Sequence, residues 1–435
     1  MQRQLGATWT HRFDGGALRE SSLMGYANRR SVAQYLAILN TTQGTPGTSR
    51  HGGGLLDFYR ATQGLEAKLR FGWTDLELQV GAALDVQRDD RQGYENYLRG
   101  VTPIVYGVQG QLRRDEINRA GTRDVFAQAE WGFANDWLLT GGVRHGRVKL
   151  ESEDRYILGS NGDDSGSKTY SYTNPALGLR WQAAPGWNLY GSVARGHESP
   201  TLNEILYRVD NVAGLNFDLQ AQTSRQLELG TKWRSGRGHE VDVALFETRT
   251  DDEIGVELNA GGRAAFKNVG RTLRRGFELG AAAPLGSGLT ARVAYTFLDA
   301  TYLDTFNTCS NLPCNATSNR GVANAGNRIA GTQRHNGYAE LAWDAGAIGR
   351  LGAEVRGVSS TQANDSNDAA APKYAVANLR WSVPLFPGGE LLARVDNVFD
   401  RRYAGSVIVN ESNRRFFEPG APRSLLLALR VTTGF

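Results

Sequence analysis

The chain has 435 residues, enough for two or three soluble domains or one large membrane barrel. Its net charge is +4, from 49 basic and 45 acidic residues mixed along the chain, and this argues against a nucleic-acid partner, which needs a clustered basic stripe. No run of 18 apolar residues offers a transmembrane helix, and 53 glycines against 12 prolines suit many strands joined by tight turns. Alternation at period two is the dominant pattern and predicts strands with one apolar and one polar face. About seventeen such segments follow one another. In chain order they start near Arg3, Leu18, Leu55, Leu76, Arg123, Leu138, Thr169, Asn188, Ser224, Glu240, Phe266, Leu289, Arg334, Leu351, Ala375, Glu390 and Ser424. Leu76, Leu78, Val80, Ala82, Leu84 and Val86 make one wholly apolar face, and the intervening residues run Glu77, Gln79, Gly81, Ala83, Asp85 and Gln87.

The connections alternate between short and long. Short turns are expected at 12–16, 72–75, 134–136, 183–186, 235–238, 284–288, 345–349 and 386–389. Long ones follow Ala27, Gln87, Asp154, His197, Thr250, Thr301, Ser359 and Asp400. Short turns on one rim and long loops on the other are the layout of an outer-membrane barrel, with the turns periplasmic and the loops outside. The nine tryptophans agree. Trp9, Trp73, Trp131, Trp137, Trp181, Trp187, Trp233, Trp343 and Trp381 all lie in or beside a short turn. An amphipathic indole settles where hydrocarbon meets headgroups, so these predict a membrane girdle. Core tryptophans of a soluble fold would scatter along strand centres. The expected fold class is therefore all-β: an antiparallel transmembrane β-barrel.

An odd strand count conflicts with the even counts of single-chain bacterial barrels. Met1–Gly6 also lacks the apolar stretch and cleavage site of a signal peptide. The expectation from both is an N-terminally truncated chain. Cys309 and Cys314, in CSNLPC, suit a small disulfide in an oxidising compartment. A metal site there would want further ligands nearby.

Four stretches resemble TonB-dependent outer-membrane receptors. They are LYGSVARGHESPTLNEILYR (Leu189–Arg208), DLQAQTSRQLELGTKW (Asp218–Trp233), FKNVGRTLRRGFELG (Phe266–Gly280) and the closing segment from Val395 to Phe435. The order of the four is that of the family. The resemblance implies a barrel of about 22 strands filled by a plug, of which this chain would supply the C-terminal portion, residues 1–435, without plug, TonB segment or signal peptide. It also implies energised uptake of a scarce ligand, either a ferric siderophore or a similar small anionic compound such as a quinone cofactor. The start of the chain, the Arg30–Gly54 loop and ESNRRFFEP are most similar to the branch that takes up pyrroloquinoline quinone. Leu427, Leu429, Val431 and Phe435 resemble the C-terminal signal read by the barrel-assembly machinery. The paired haem-receptor motifs are absent: the matching places read GHESPTLNE and NFDLQAQTS.

The six histidines fall in separate segments with no ligand spacing, and no nucleophile elbow or phosphate loop occurs. No enzyme and no resident metal or cofactor is expected; a ligand can itself carry iron. Candidate ligand-binding residues are Arg195, His197, Glu198, Tyr207 and Arg208 around one loop, then Arg271, Arg274 and Arg275. Arg328, Arg334 and His335 follow, and Tyr403, Arg414 and Arg415 belong to the last loop. Guanidiniums fork onto carboxylates and aromatic rings stack on planar ligands. Expected partners are outer-membrane lipid and lipopolysaccharide, the TonB complex, the assembly machinery and a small-molecule ligand, in the outer membrane of a Gram-negative bacterium. The rival reading is a passive porin or a structural barrel.

Overall fold

A computed structural model describes residues 1–36, 54–98, 100–159, 162–209, 215–260, 263–312, 314 and 318–432. His51, most of the Arg30–Gly54 loop and Phe435 lie outside these residues. One antiparallel sheet of 17 long strands dominates. Its first ten strands are β1 (Gln2–Arg12), β2 (Leu18–Tyr35), β3 (Leu55–Gly72), β4 (Leu76–Tyr94), β5 (Leu112–Ala134), β6 (Trp137–Asp154), β7 (Gly166–Ala184), β8 (Trp187–Glu198), β9 (Gln222–Arg234) and β10 (Glu240–Asp251). A loop ribbon, β11 (Ile254–Ala260) with β12 (Arg263–Asn268), precedes β13 (Thr272–Gly286) and β14 (Leu289–Tyr302). A second ribbon, β15 (Phe306–Cys309) with β16 (Arg320–Ala323), precedes β17 (His335–Asp344) and β18 (Arg350–Val358). Then come the short pair β19 (Thr361–Gln362) and β20 (Ala370–Ala371), β21 (Tyr374–Phe386) and β22 (Gly389–Asp396). The ribbon β23 (Ala404–Val407) with β24 (Phe417–Pro419) leads into β25 (Ser424–Val431).

Each wall strand pairs with the next in sequence, from β1–β2 to β22–β25. Among the described residues β1 and β25 are laddered on one side only. Two expected starts shift. The fifth wall strand begins at Leu112 rather than near Arg123, and the eleventh at Thr272 rather than at Phe266, which belongs to β12. The top of β5, Arg113 to Glu116, is polar on both faces, so alternation is silent there although the ladder continues. β2 and β4 outrun their expected ends for the same reason.

The register puts apolar residues together on the outer face. Leu78 lies opposite Ala129, Val80 opposite Ala127 and Ala82 opposite Val125. Leu84 is 48 % exposed and Val125 56 %, which only hydrocarbon solvent makes favourable. The inner face carries the charges. Glu340 and Glu354 are cross-strand neighbours, an arrangement that repels unless cations intervene. Arg380 bridges them, with Arg292 3.6 Å from Glu340 and Arg394 3.4 Å from Glu354.

Eight of the nine tryptophans are exposed and Trp381 is half-buried. Trp137 and Trp181 stack at 5.6 Å, and Trp187 sits opposite Trp233. Quenching by lipid-bound probes should place tryptophan emission at one interface. Quenching spread evenly through the bilayer would refute this topology.

Candidate functional site

The long loops build a polar layer over one end of the barrel. The loop after β8 turns inward at Thr201–Glu204, where a capping box forms: the Thr201 amide donates to Glu204 Oε2 at 2.7 Å and the Glu204 amide to Thr201 Oγ1 at 3.4 Å. This turn aims Leu202, Ile205 and Leu206 at the inner wall. With Leu215 and Leu219 they bury against Leu150 and Tyr170 of β6 and β7. Burial of each such side chain contributes roughly 1.5–3 kcal/mol. The Tyr170 hydroxyl donates to the Leu219 carbonyl at 2.8 Å, and Lys168 Nζ to the Phe217 carbonyl at 2.9 Å. The loop is thus pinned inside the mouth.

Tyr207 follows directly and meets three guanidiniums. Arg91 Nη2 donates to its hydroxyl at 3.0 Å, and Arg114 and Arg263 lie 5.4 and 5.2 Å from its ring centroid. One carboxylate, Glu116, is shared by Arg91 at 3.0 Å and Arg114 at 3.6 Å. Asp164, from the loop after β6, lies within electrostatic reach of Arg114. Arg263 has no ion-pair partner among the described residues, and burial lowers its pKa, with Arg114 and Arg91 adding to the effect. Burial alone would raise the Tyr207 phenol; Arg91, Arg114 and Arg263 outweigh it and lower the phenol below its usual range. The cluster is therefore short of negative charge and suited to a carboxylate or phenolate ligand.

A depressed phenol pKa means that ionising Tyr207 stabilises the fold above the ordinary phenol range; that gain is lost as pH falls through the folded value. Alkaline difference absorbance should show one of the 16 tyrosines ionising early. In Arg263→Ala that early step should move up; an unchanged titration would remove Arg263 from the cluster.

A second knot ties the loops across the mouth. Asp365 accepts from the Tyr302 hydroxyl at 2.6 Å and from Asn410 Nδ2 at 2.9 Å. Asn410 Nδ2 also donates to the Val256 carbonyl at 2.6 Å, and Asn259 Nδ2 to the Val409 carbonyl at 2.7 Å. The loops after β10, β18 and β22 are joined there. Burial raises the Asp365 pKa, against the opposing hydrogen bonds from Tyr302 and Asn410. Cys309 and Cys314 are disulfide-bonded, and Leu258 packs on the pair.

The expected ligand residues scatter. Tyr207 alone lies in the arginine cluster. Arg208 is 3.6 Å from Asp218, Arg271 forks onto Asp304 at 2.8 Å, and Arg274 pairs with the buried Glu253 at 2.5 Å. Arg275 and Arg334 share Asp299 at 3.3 and 2.8 Å, and Arg328 donates to the Thr332 carbonyl at 3.5 Å. His335 Nδ1 lies 2.7 Å from the Tyr295 hydroxyl, and Tyr403 rests on Tyr374 at 4.3 Å. Arg414 is 3.7 Å from Asp368, and Arg415 is exposed. Glu198 accepts from Gln222 at 2.7 Å. Arg195 shares its strand face with the exposed Val193, and His197 stacks on Tyr172 at 4.8 Å. Arg91, Arg114 and Arg263 were not foreseen; the basic pair Arg113–Arg114 inside a long connection was the available signal.

The family described as TonB dependent receptor-like, beta-barrel matches residues 2–398. The metal-pseudopaline receptor CntO of Pseudomonas aeruginosa is 25 % identical over 309 residues, covering 69 % of this chain and 39 % of that protein. The copper transporter OprC superposes with a TM-score of 0.77 at 16 % identity, covering 99 % of this chain and 65 % of the other. The siderophore receptor PiuA of Acinetobacter baumannii gives a TM-score of 0.76 at 16 % identity, with 99 % and 64 % covered. The chain thus spans about two fifths of the length of CntO. It belongs to the TonB dependent receptor-like β-barrel family and is a barrel of the Gram-negative outer membrane.

Proposed function

We propose that this chain is the barrel of a receptor that takes up a metal held by an anionic chelator, with energy delivered through TonB. The observation that carries the reading is the net-positive cluster of Arg91, Arg114 and Arg263 around Tyr207 inside the mouth. Metal-free anions such as a quinone cofactor also suit guanidiniums. The metal-chelate class is preferred because CntO and PiuA are named for a metal-pseudopaline complex and a siderophore. Plug and TonB-contacting segments belong to the same proposal.

The test compares a strain carrying the full-length receptor with its deletion. Radioactive iron, nickel, copper and zinc are each supplied with metallophore-rich spent medium. Uptake of at least one metal should need the receptor, the chelator and the proton-motive force together. Equal uptake in the two strains for every metal would refute the proposal.

A further inference from the structure

Arg91 and Arg114 stand on the paired wall strands β4 and β5, whereas Tyr207 and Arg263 reach the cluster from two different loops. A binding constellation keeps its affinity only if such parts are held in place before the ligand arrives. Leu202, Ile205 and Leu206 fix the chain on one side of Tyr207. On its other side the hold comes from the loop after β14. The Val209 carbonyl accepts from the Cys314 amide at 3.1 Å, and Val209 packs with Leu258, Cys309 and Cys314.

Leu258 belongs to β11, and the β11–β12 ribbon carries Arg263. Arg263 lies opposite Ala260 in the last pair of that ribbon, and Leu258 lies opposite Ala265. The register shifts between Val256 and Leu258, so Glu257 is an extra residue in β11. A bulge of this kind re-aims side chains. Glu257 Oε1 comes to 3.3 Å from Cys309 Sγ and 3.6 Å from Lys267 Nζ. Lys267, on β12, donates to the Asn307 carbonyl and lies 4.9 Å from the Phe306 ring centroid. The ribbon is thereby fastened to β15, whose last residue is Cys309. Asn216 Nδ2 donates to the Phe266 carbonyl at 3.1 Å and Asn268 Nδ2 to the Gln220 carbonyl at 3.0 Å, so the other end of the ribbon has its own ties.

Two lines thus converge on one disulfide. One runs to Val209, just past Tyr207, and the other to Leu258, on the strand that leads to Arg263. The bond joins cysteines at a sequence separation of five and removes the conformational freedom of the segment between them. Cys309 is 8 % exposed and Cys314 6 %, and the Glu257 carboxylate beside Cys309 repels an incoming thiolate. Shelter from thiol exchange suits a permanent brace and not a redox switch. We propose that the Cys309–Cys314 disulfide is a positioning element of the anion site: it holds Val209 and Leu258 against each other and so sets Tyr207 and Arg263 at contact distance. This role rests on the reading of the arginine cluster as the ligand site, but the phenol itself reports it without ligand or transport.

The test uses full-length receptor with 3-fluorotyrosine at position 207, whose fluorine resonance reads the surroundings of that ring and the pH midpoint of its phenol. In Cys309→Ala/Cys314→Ala the midpoint should move up towards the ordinary phenol range and the line should broaden. Amides of Val209 and Leu258 should exchange about tenfold faster. Leu258→Ala cuts the same line but leaves the disulfide, and should move the midpoint in the same direction. Protection of the wall and of the Asp365–Asn410 knot should stay as in wild type. Heat-modifiable migration reports folding, and Leu258→Ala decides if the cysteine pair variant does not fold. An unchanged Tyr207 midpoint in a folded variant, or a loss of protection that spreads equally to the Asp365 knot, would overturn the proposal. A wild-type receptor that takes up no metal would refute the uptake reading and leave this result standing.

Discussion

An Arg263→Glu receptor is expected to bind the metal chelate proposed for it at least about a hundredfold more weakly while keeping its barrel. Around Tyr207 three guanidiniums now face Glu116, with Asp164 in reach of Arg114; the substitution leaves two guanidiniums facing three carboxylates. Losing one charge-assisted contact at a desolvated site costs roughly 2–5 kcal/mol, and a hundredfold in affinity is about 2.7 kcal/mol. Stability should move the other way. Arg263 is held against burial and two like charges, so a carboxylate there relieves repulsion. The result to look for is a split: thermal unfolding unchanged or raised, with binding of the chelate selected by the uptake panel lost. Arg263→Lys should fall between, because it keeps the charge but loses the planar fork. Arg415→Glu, equally close in chain chemistry but exposed, is the control. Loss of binding that tracks loss of folded barrel in every variant would deny Arg263 a ligand role.

The wall was legible because lipid imposes a rule on every residue. One face must be apolar and the other can be charged, so β4, β9 and β21 could be read residue by residue. Reading failed where lipid stops imposing it. The top of β5 is polar on both faces, and its ladder was therefore hidden. The arginine cluster was hidden for a related reason: it draws Arg91 and Arg114 from the tops of two wall strands and Arg263 from a loop ribbon, a meeting that no local pattern encodes. Tyr207 stood out only as an aromatic residue among charges. The inward tuck of its loop had a visible cause in Leu202, Ile205, Leu206, Leu215 and Leu219, too much apolar surface for a loop left in water.

Asn410→Ala is expected to open the loop layer without loosening the wall. Asn410 donates to the Val256 carbonyl at 2.6 Å and to Asp365 at 2.9 Å, and accepts from the Asp365 amide at 3.1 Å. Asp365 is 3 % exposed, so truncating Asn410 strands a buried carboxylate with Tyr302 as its remaining side-chain hydrogen-bond donor. An unsatisfied buried group costs roughly 1–3 kcal/mol, and more when charged. Amides of β11, β12 and the segment 359–373 should therefore exchange about ten- to a hundredfold faster, with β10 and β13 unchanged. The pH dependence has a definite sign. The folded Asp365 pKa is raised by burial, so its contribution is fully present below the ordinary aspartate range and is lost as pH rises through the folded value. Loop protection should weaken over that interval in the wild type, and Asp365→Asn should flatten the dependence. The wall ladder continues without this knot, since β10 pairs with β9 and β13 throughout. A fall in thermal stability of the whole barrel equal to the loss of loop protection would show that loops and wall open as one unit, and the mouth would then have no independent gate.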